Sequence, residues 1–182
     1  HSFPTRRSSD LAYGDVPYFT EMVTTDQVNS LTRTPAQEIF NAIIAECDKL
    51  STELPADYTK LGLDGIAPAE NGRVTCYAAL ALKARAALYA ASPLFNPENN
   101  KDLWRRAAEA NKEVIETCTA NGFKLSKYSE LWGPNNWSNN EMIFVRRYNG
   151  NISTLEEYNF PMGVPGGNSG NCPTQNMVDA YE

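Results

Sequence analysis

The sequence predicts a mainly α-helical protein. Three long stretches place apolar residues at the three-and-four spacing of a helix face, and capping residues, glycine or proline bound each of them. One short segment alternates in the manner of a strand, so little β structure is expected. At 182 residues the chain is long enough to bury one sizeable core.

The central stretch, residues 72–96, contains an alanine-filled helix. Thr75 is expected to cap its start through the hydroxyl, and Pro93 places its end near Ser92. One predicted face is apolar, and its members are Tyr77, Leu80, Ala81, Ala84, Leu88 and Ala91. The opposite face is also small and apolar, with Ala79, Ala86 and Ala90. A helix that is apolar nearly all round is buried, and alanine lets neighbouring backbones approach closely. The central helix of an ordinary helix bundle would show the same pattern.

A helix is predicted before this one, over residues 35–53. Thr34 is its expected N-cap, Pro35 occupies the first helical position, and Gln37 completes a capping-box pattern. The apolar stripe consists of Ile39, Phe40, Ile43, Ile44, Cys47 and Leu50. Pro55 follows and ends the pattern.

A third helix is predicted over residues 101–121, and Gly122 is its expected stop. The predicted buried stripe consists of Trp104, Ala107, Ala108, Asn111, Val114, Ile115 and Cys118. Asn111 in such a stripe is expected to hydrogen-bond to a neighbouring helix. The helix starts are unevenly spaced, so a strict 34-residue repeat is not visible.

Shorter elements and connections fill the remainder. The composition predicts extended segments and loops at 13–30, a loop at 56–73, a short helical turn at 125–132, a strand at 142–148, irregular chain at 149–172 and a closing helix from about Thr174.

Charge and composition exclude several classes of function. The formal net charge is −6 and no basic cluster occurs, whereas nucleic-acid binding depends on Lys and Arg that neutralise phosphates. The one histidine is His1, so histidine-based nucleophile systems and His-containing zinc sites lack a residue they need. The four cysteines form no C-x-x-C pattern and are expected mainly as small apolar fillers, with their pairing left open. We expect no cofactor and no metal.

Residues 1–11, HSFPTRRSSDL, have no periodic apolar pattern. They are predicted to be a non-native leader and take no part in the fold argument. They lack the long apolar core and the small-residue cleavage site of a secretory signal.

Five segments of the chain resemble one protein family in their residues and in their order along the sequence. They are YGDVPYFTE at 13–21, RTPAQEIFNAIIAECDKLSTELP at 33–55, the stretch at 72–96, NNEMIFVRRY at 139–148 and PTQNMVDAYE at 173–182. Together they resemble the SusD/RagB family, the surface glycan-binding lipoproteins of Bacteroidota outer membranes. The resemblance implies tetratricopeptide-like helical hairpins with long irregular loops. It also implies that residues 12–182 are an internal fragment of a single SusD-like helical-repeat domain.

The resemblance implies a function without catalysis. Such a subunit captures oligosaccharides at the cell surface and delivers them to a SusC-like TonB-dependent outer-membrane transporter, over which it acts as a lid. The implied location is the outer membrane, through a lipid anchor of the full-length parent. The signal peptide and lipid-attachment cysteine of that parent are not in this sequence.

A glycan site needs exposed aromatic platforms beside polar partners, because sugars offer flat C–H faces rimmed by hydroxyl groups. One compact region has this mixture, and its candidate residues are Trp132, Asn135, Asn136 and Trp137. The alternative is that one or both tryptophans plug the base of the helical layer. Weaker candidates are Tyr13, Tyr18 and Phe19, which are expected to pack on the helical domain, and Arg146 and Arg147, which are expected to be solvated or locally paired.

Two other classes of function stay open. A helical-repeat adaptor would bind a peptide and bury its tryptophans. A glycoside hydrolase needs two carboxylates and no histidine, but the sequence singles out no pair of Asp or Glu residues. The expectation is therefore a binding protein and not an enzyme.

Overall fold

The computed structural model describes residues 13–58, 73–131, 139–145 and 159–180, and the chain divides into two compact units, residues 1–145 and 146–182. In the first unit the helices are α1 Thr25–Val28, α2 Ala36–Glu53, α3 Cys76–Ala91, α4 Lys101–Ala120 and α5 Tyr128–Leu131. In the second unit lies α6 Gln175–Asp179. Strand pairing within the described ranges is a single antiparallel bridge, Val16 with Thr34. The predicted mainly α fold is confirmed.

Helix α3 forms the centre of the first unit, because α2 and α4 both pack against it. Its buried residues are Tyr77, Ala79, Leu80, Ala84, Ala86, Ala87, Ala90 and Ala91. These lie on both predicted faces, so the expected burial of α3 on two opposite sides is confirmed, while Arg85 and Leu88 are exposed between them. The described helices are each too short or too polar to span a bilayer.

The partners of α3 supply the bulk that its alanines lack. Helix α2 buries Ile39, Phe40 and Ile43 in the same cluster as Ala86 and Ala90. Phe40 is fully buried and meets Phe95 edge to face, with ring centroids 5.1 Å apart. Large side chains on one helix thus fill the space left by small ones on the next, which gives a closely packed core.

The predicted cap at the start of α2 is wrong. Thr34 is drawn into the bridge with Val16, to whose carbonyl its amide donates at 3.0 Å. The free amide of Ala36 donates instead to the carboxylate of Asp15, at 2.9 Å. A residue 21 positions away in the sequence therefore satisfies the helix terminus, and a local capping rule cannot detect it.

Gln37 also departs from the predicted capping box. Its side-chain amide donates to the carbonyls of Ala90 and Phe95, at 2.7 and 2.8 Å, and so ties the start of α2 to the end of α3. The same Thr-x-x-Gln pattern makes a local cap at α1, where the Gln27 side-chain oxygen accepts from the amide and hydroxyl of Thr24. Residues 25–28 were expected to be extended or loop and are one helical turn.

The boundaries of α3 are confirmed, but its hydroxyl cap is not. Thr75 occupies the N-cap position, yet its hydroxyl oxygen is buried without a hydrogen-bond partner. The helix ends with Ser92 as the C-cap, as Pro93 predicted. Leu88 was placed on the buried face and is 47% exposed, and Ala81 is only half-buried.

Helix α4 has the predicted limits and a stripe that is rotated from the prediction. Ala107, Ala110 and Cys118 are buried, with Leu103 and Val114 packed against the core. Three residues of the predicted stripe face outward, namely Trp104, Ala108 and Ile115. Because the predicted stripe was apolar on two adjoining sides of the helix, periodicity could not decide which side α3 covers.

Asn111 and the two ends of α4 behave as the sequence suggests. The Asn111 amide donates to Ala107 at 2.8 Å and makes a long bond of 3.5 Å to the Ala84 carbonyl of α3. Asn100 caps the start by accepting from Asp102 at 2.9 Å. Gly122 has φ +88. This left-handed conformation lets the amide of Phe123 bond to the Cys118 carbonyl and close the helix in a Schellman motif.

Among the remaining predictions, two short helices are confirmed and one strand is wrong. The helical turn at 125–132 appears as α5, and Thr174 caps α6 by accepting from Met177 at 3.3 Å. The strand predicted at 142–148 is wrong for its described residues 142–145, which form a bend. Their alternation is real, since Phe144 is 56% exposed between half-buried neighbours, but no strand among the described residues pairs with them.

The cysteines of the helices are free thiols. Cys47 and Cys118 are buried, which confirms their expected role as small fillers, and Cys76 is partly buried. Burial raises the pKa of Cys47 to about 11, with added repulsion from Glu46 and Asp48. Such a thiol is protonated and unreactive at neutral pH.

Lys83 connects the three long helices electrostatically. From α3 its ammonium reaches Asp48 of α2 at 2.5 Å and Glu113 of α4 at 2.7 Å, and its side chain is only 16% exposed. Burial alone would lower the pKa of Lys83, but the hydrogen bonds to the two carboxylates raise it further than burial lowers it, so the net pKa lies above its usual 10.5. The charged form is therefore favoured by folding.

Replacing Lys83 by Met keeps the side-chain stem and removes the charge. Because both carboxylates are about half exposed and screened by water, we expect Lys83→Met to lower the free energy of unfolding by about 1 kcal/mol near pH 7. The raised folded pKa means that this contribution is complete below pH 10.5 and is lost as the pH rises through the folded value. Urea unfolding near pH 8 and near pH 11 measures both effects.

The matched control is Lys49→Met, which removes the exposed pair between Lys49 and Glu53 within α2. That variant should lose about 0.3 kcal/mol. Equal effects of the two substitutions, or a gap between wild type and Lys83→Met that widens toward pH 11, would contradict the bridging role of Lys83.

Candidate functional site

The four predicted site residues, Trp132, Asn135, Asn136 and Trp137, lie outside the described residues. So do Arg146 and Arg147. We call residues 132–138 the tryptophan segment. The structure describes the chain on both sides of it, as residues 123–131 and 139–145.

Three polar side chains join these flanks, and we call Ser126, Asn139 and Glu141 the loop clamp. The Asn139 side-chain oxygen accepts from the Ser126 hydroxyl at 2.7 Å and from the Glu141 amide at 2.8 Å. The Glu141 carboxylate accepts from the Ser126 amide at 2.8 Å. A backbone bond from Lys124 to Asn140, at 3.4 Å, adds to the connection.

The loop clamp is half-buried, so its hydrogen bonds are partly shielded from water. Each bond contributes about 1 kcal/mol, and leaving a partner unsatisfied costs more. The clamp fixes residue 126 beside residues 139 and 141. It thereby holds the described flanks, residues 123–131 and 139–145, next to each other.

An aromatic side chain that sequence reasoning missed lies on this flank. Tyr128 begins α5 and is 76% exposed, and Leu125 beside it is 87% exposed. An exposed tyrosine combines a flat apolar face with a hydroxyl group, which suits the C–H faces and hydroxyls of a sugar. Its position four residues before the candidate Trp132 is the signal that the sequence contained.

Of the three weaker aromatic candidates, one is packed against the core and two are exposed. Tyr18 packs against the core, as expected. Tyr13 is 78% exposed and Phe19 is 47% exposed, so the expectation of packing is wrong for Tyr13 and half right for Phe19. No group of three or more His, Cys, Asp or Glu side chains that could hold a metal ion occurs within the described ranges.

No protein-family model matches the chain, and no curated protein matches it. Among solved structures, the chain is similar to a SusD-like protein from Bacteroides fragilis NCTC 9343, with a TM-score of 0.64 and 24% sequence identity over 93% of this chain. The chain has a SusD-like fold. It covers 31% of the length of that SusD-like protein. The tetratricopeptide-like arrangement expected for α2, α3 and α4 agrees with this SusD-like fold.

The loop clamp makes a local prediction. Asn139→Ala removes two of its hydrogen bonds, so we expect backbone amides of residues 124–131 and 139–142 to exchange with deuterium roughly tenfold faster. Amides in the middle of α3 should be unchanged. Asn140→Ala is the matched control, because the clamp uses only the backbone carbonyl of that residue. Identical exchange in both variants would show that the clamp does not hold the flanks.

Proposed function

We propose that this chain is part of a glycan-binding subunit that captures nutrient oligosaccharides. The SusD-like fold, shared with the SusD-like protein from Bacteroides fragilis, is the observation on which this rests. The exposed face of Tyr128 beside the clamped flanks supports a carbohydrate surface at this end of the unit. Trp132, Asn135, Asn136 and Trp137 are proposed as the contacts, with the indoles as platforms and the amides as hydroxyl partners.

The proposal assigns no catalysis to this chain. Residues 12–182 would form part of a larger SusD-like domain, which sits at the outer-membrane surface on a lipid anchor. The parent would deliver the glycan to a SusC-like TonB-dependent transporter and act as its lid. The sequence resemblance supports these further steps, and an affinity purification of the parent protein that fails to recover such a transporter would count against them.

A second candidate is a helical-repeat adaptor for protein partners, and the outward face of α4 favours it. Ile115 is 66% exposed and Trp104 is 38% exposed on that face. Exposed apolar side chains grouped on one helix are a feature of protein interaction surfaces. This candidate requires a peptide ligand and predicts that Trp132 and Trp137 are buried.

Isothermal titration of the chain with a panel of neutral oligosaccharides tests the leading proposal. We expect Trp132→Ala and Trp137→Ala each to weaken binding roughly tenfold, because an aromatic platform that loses its face forfeits about 1.4 kcal/mol. Trp104→Ala is the matched control, since it removes an equally large side chain from α4, and it should leave the affinity within twofold.

Two results would contradict the glycan-binding proposal. One is a panel without any oligosaccharide ligand for a chain whose helical circular dichroism is intact. The other is a loss of affinity in Trp104→Ala with none in the two loop variants, which would move the binding surface to α4 and favour the adaptor.

A further inference from the structure

Helices α3 and α4 are antiparallel, and three contacts fix their register. Lys83 pairs with Glu113, Asn111 reaches the carbonyl of Ala84, and the ring of Tyr77 lies 5.0 Å from that of Phe123. Each step toward the start of α3 therefore matches a step toward the end of α4. About two turns below Ala84 lies Cys76, and about two turns beyond Asn111 lies Cys118.

Both cysteines lie on the facing sides of their helices. Cys118 shares a helical face with the buried Ala107 and with Asn111, whose amide reaches α3. Cys76 shares a face with Leu80 and Ala84, each one helical turn apart and both buried. The two cysteines thus lie at the same end of the same helix pair.

The residues next to the thiols hold this end together. Tyr77 follows Cys76 and packs on Phe123, with ring planes at 63°. The amide of Phe123 in turn donates to the carbonyl of Cys118, at 3.0 Å. Cys76 is thus joined to this aromatic contact as the chain neighbour of Tyr77, and Cys118 is joined to it by the hydrogen bond from Phe123.

We propose that Cys76 and Cys118 are a disulfide-forming pair that staples the ends of α3 and α4 together when the protein meets an oxidant. The pair requires a thiol oxidant of the disulfide class, for which oxidised glutathione is the probe. This inference does not rest on the glycan-binding proposal. Cys47 on α2 and Cys172 in the second unit are not members of the pair.

The reaction balances as two exchanges. The thiolate of Cys76, the more accessible of the two, attacks one sulfur of oxidised glutathione and releases one glutathione thiolate. The Cys118 thiolate then attacks the Cys76 sulfur, forms the Cys76–Cys118 bond and releases the second glutathione. The two protein thiols lose two protons and two electrons, and the electrons reduce the glutathione disulfide to two thiols.

The surroundings of the thiols set the pH dependence of this step. Burial raises the pKa of Cys118, and the neighbouring Cys76 raises it further. Burial also raises the pKa of Cys76, although backbone hydrogen bonds of Tyr77 and Cys76 lower it in part. Burial raises the pKa of Tyr77, and the charges of Cys76, Cys118 and Asp57 raise it further, which places Asp57 near this end of the helix pair. Only thiolates react, so oxidation should accelerate roughly tenfold per pH unit between pH 7 and 9.

The test incubates the folded chain with oxidised glutathione and maps its tryptic peptides without reduction. The expected result is a link between the peptide at residues 74–83 and the peptide at residues 113–124, which trypsin separates. The linked chain should be lighter by two hydrogens and melt roughly 5 to 15 °C higher than the reduced chain. The double variant Cys47→Ala and Cys172→Ser should give the same link, while Cys118→Ser should not.

A denatured sample provides the comparison that separates native geometry from chance. In guanidinium the shorter loop between Cys47 and Cys76 closes more readily than the loop between Cys76 and Cys118. The link between Cys76 and Cys118 should therefore dominate only in the folded chain. Persistent free thiols at both positions, glutathione held on Cys76 without closure, or the same pattern of links in folded and denatured samples would each overturn the proposal.

Discussion

The short side chains of α3 allow this helix to be covered on two sides at once. Ala86, Ala87 and Ala90 leave room for the large residues of α2, while Leu80 and Ala84 belong to the side that meets α4. Two further features of the first unit follow from that arrangement. Lys83 can reach a carboxylate on each neighbour only because both neighbours lie against α3, and the register of Cys76 with Cys118 exists only because α4 runs along it.

Most of the fold could be predicted from local pattern, and the two capping predictions that fail at the start of α2 share one cause. The limits of α2, α3 and α4 follow from periodicity, proline and glycine, which act within a few residues. Thr34 and Gln37 match a local capping box but are used elsewhere, in a bridge to Val16 and in bonds to the end of α3. In both cases a partner far away in the sequence replaces the local one. A capping rule considers only residues within a few positions, so it cannot predict such a partner.

Residues of a candidate site can be proposed from the sequence, whereas the contacts that support its flanks cannot. Tryptophan and asparagine within one short loop indicated a carbohydrate surface, and those residues remain a proposal. The loop clamp could not be predicted, because Ser126, Asn139 and Glu141 are ordinary polar residues until the chain brings them together. The sequence around Tyr128 predicts only a helical turn and does not mark its ring as exposed, although its spacing to Trp132 is visible.

The close approach of α2 to α3 can be measured directly with one matched pair of variants. Ala86 is fully buried on α3 and Ala108 is exposed on α4, so Ala86→Leu and Ala108→Leu make the same substitution in two helix interiors. Urea unfolding should show Ala86→Leu destabilised by about 1 to 3 kcal/mol from overpacking and Ala108→Leu within about 0.5 kcal/mol of wild type. Equal stability of the two variants would show that α3 has room to spare and would contradict this account.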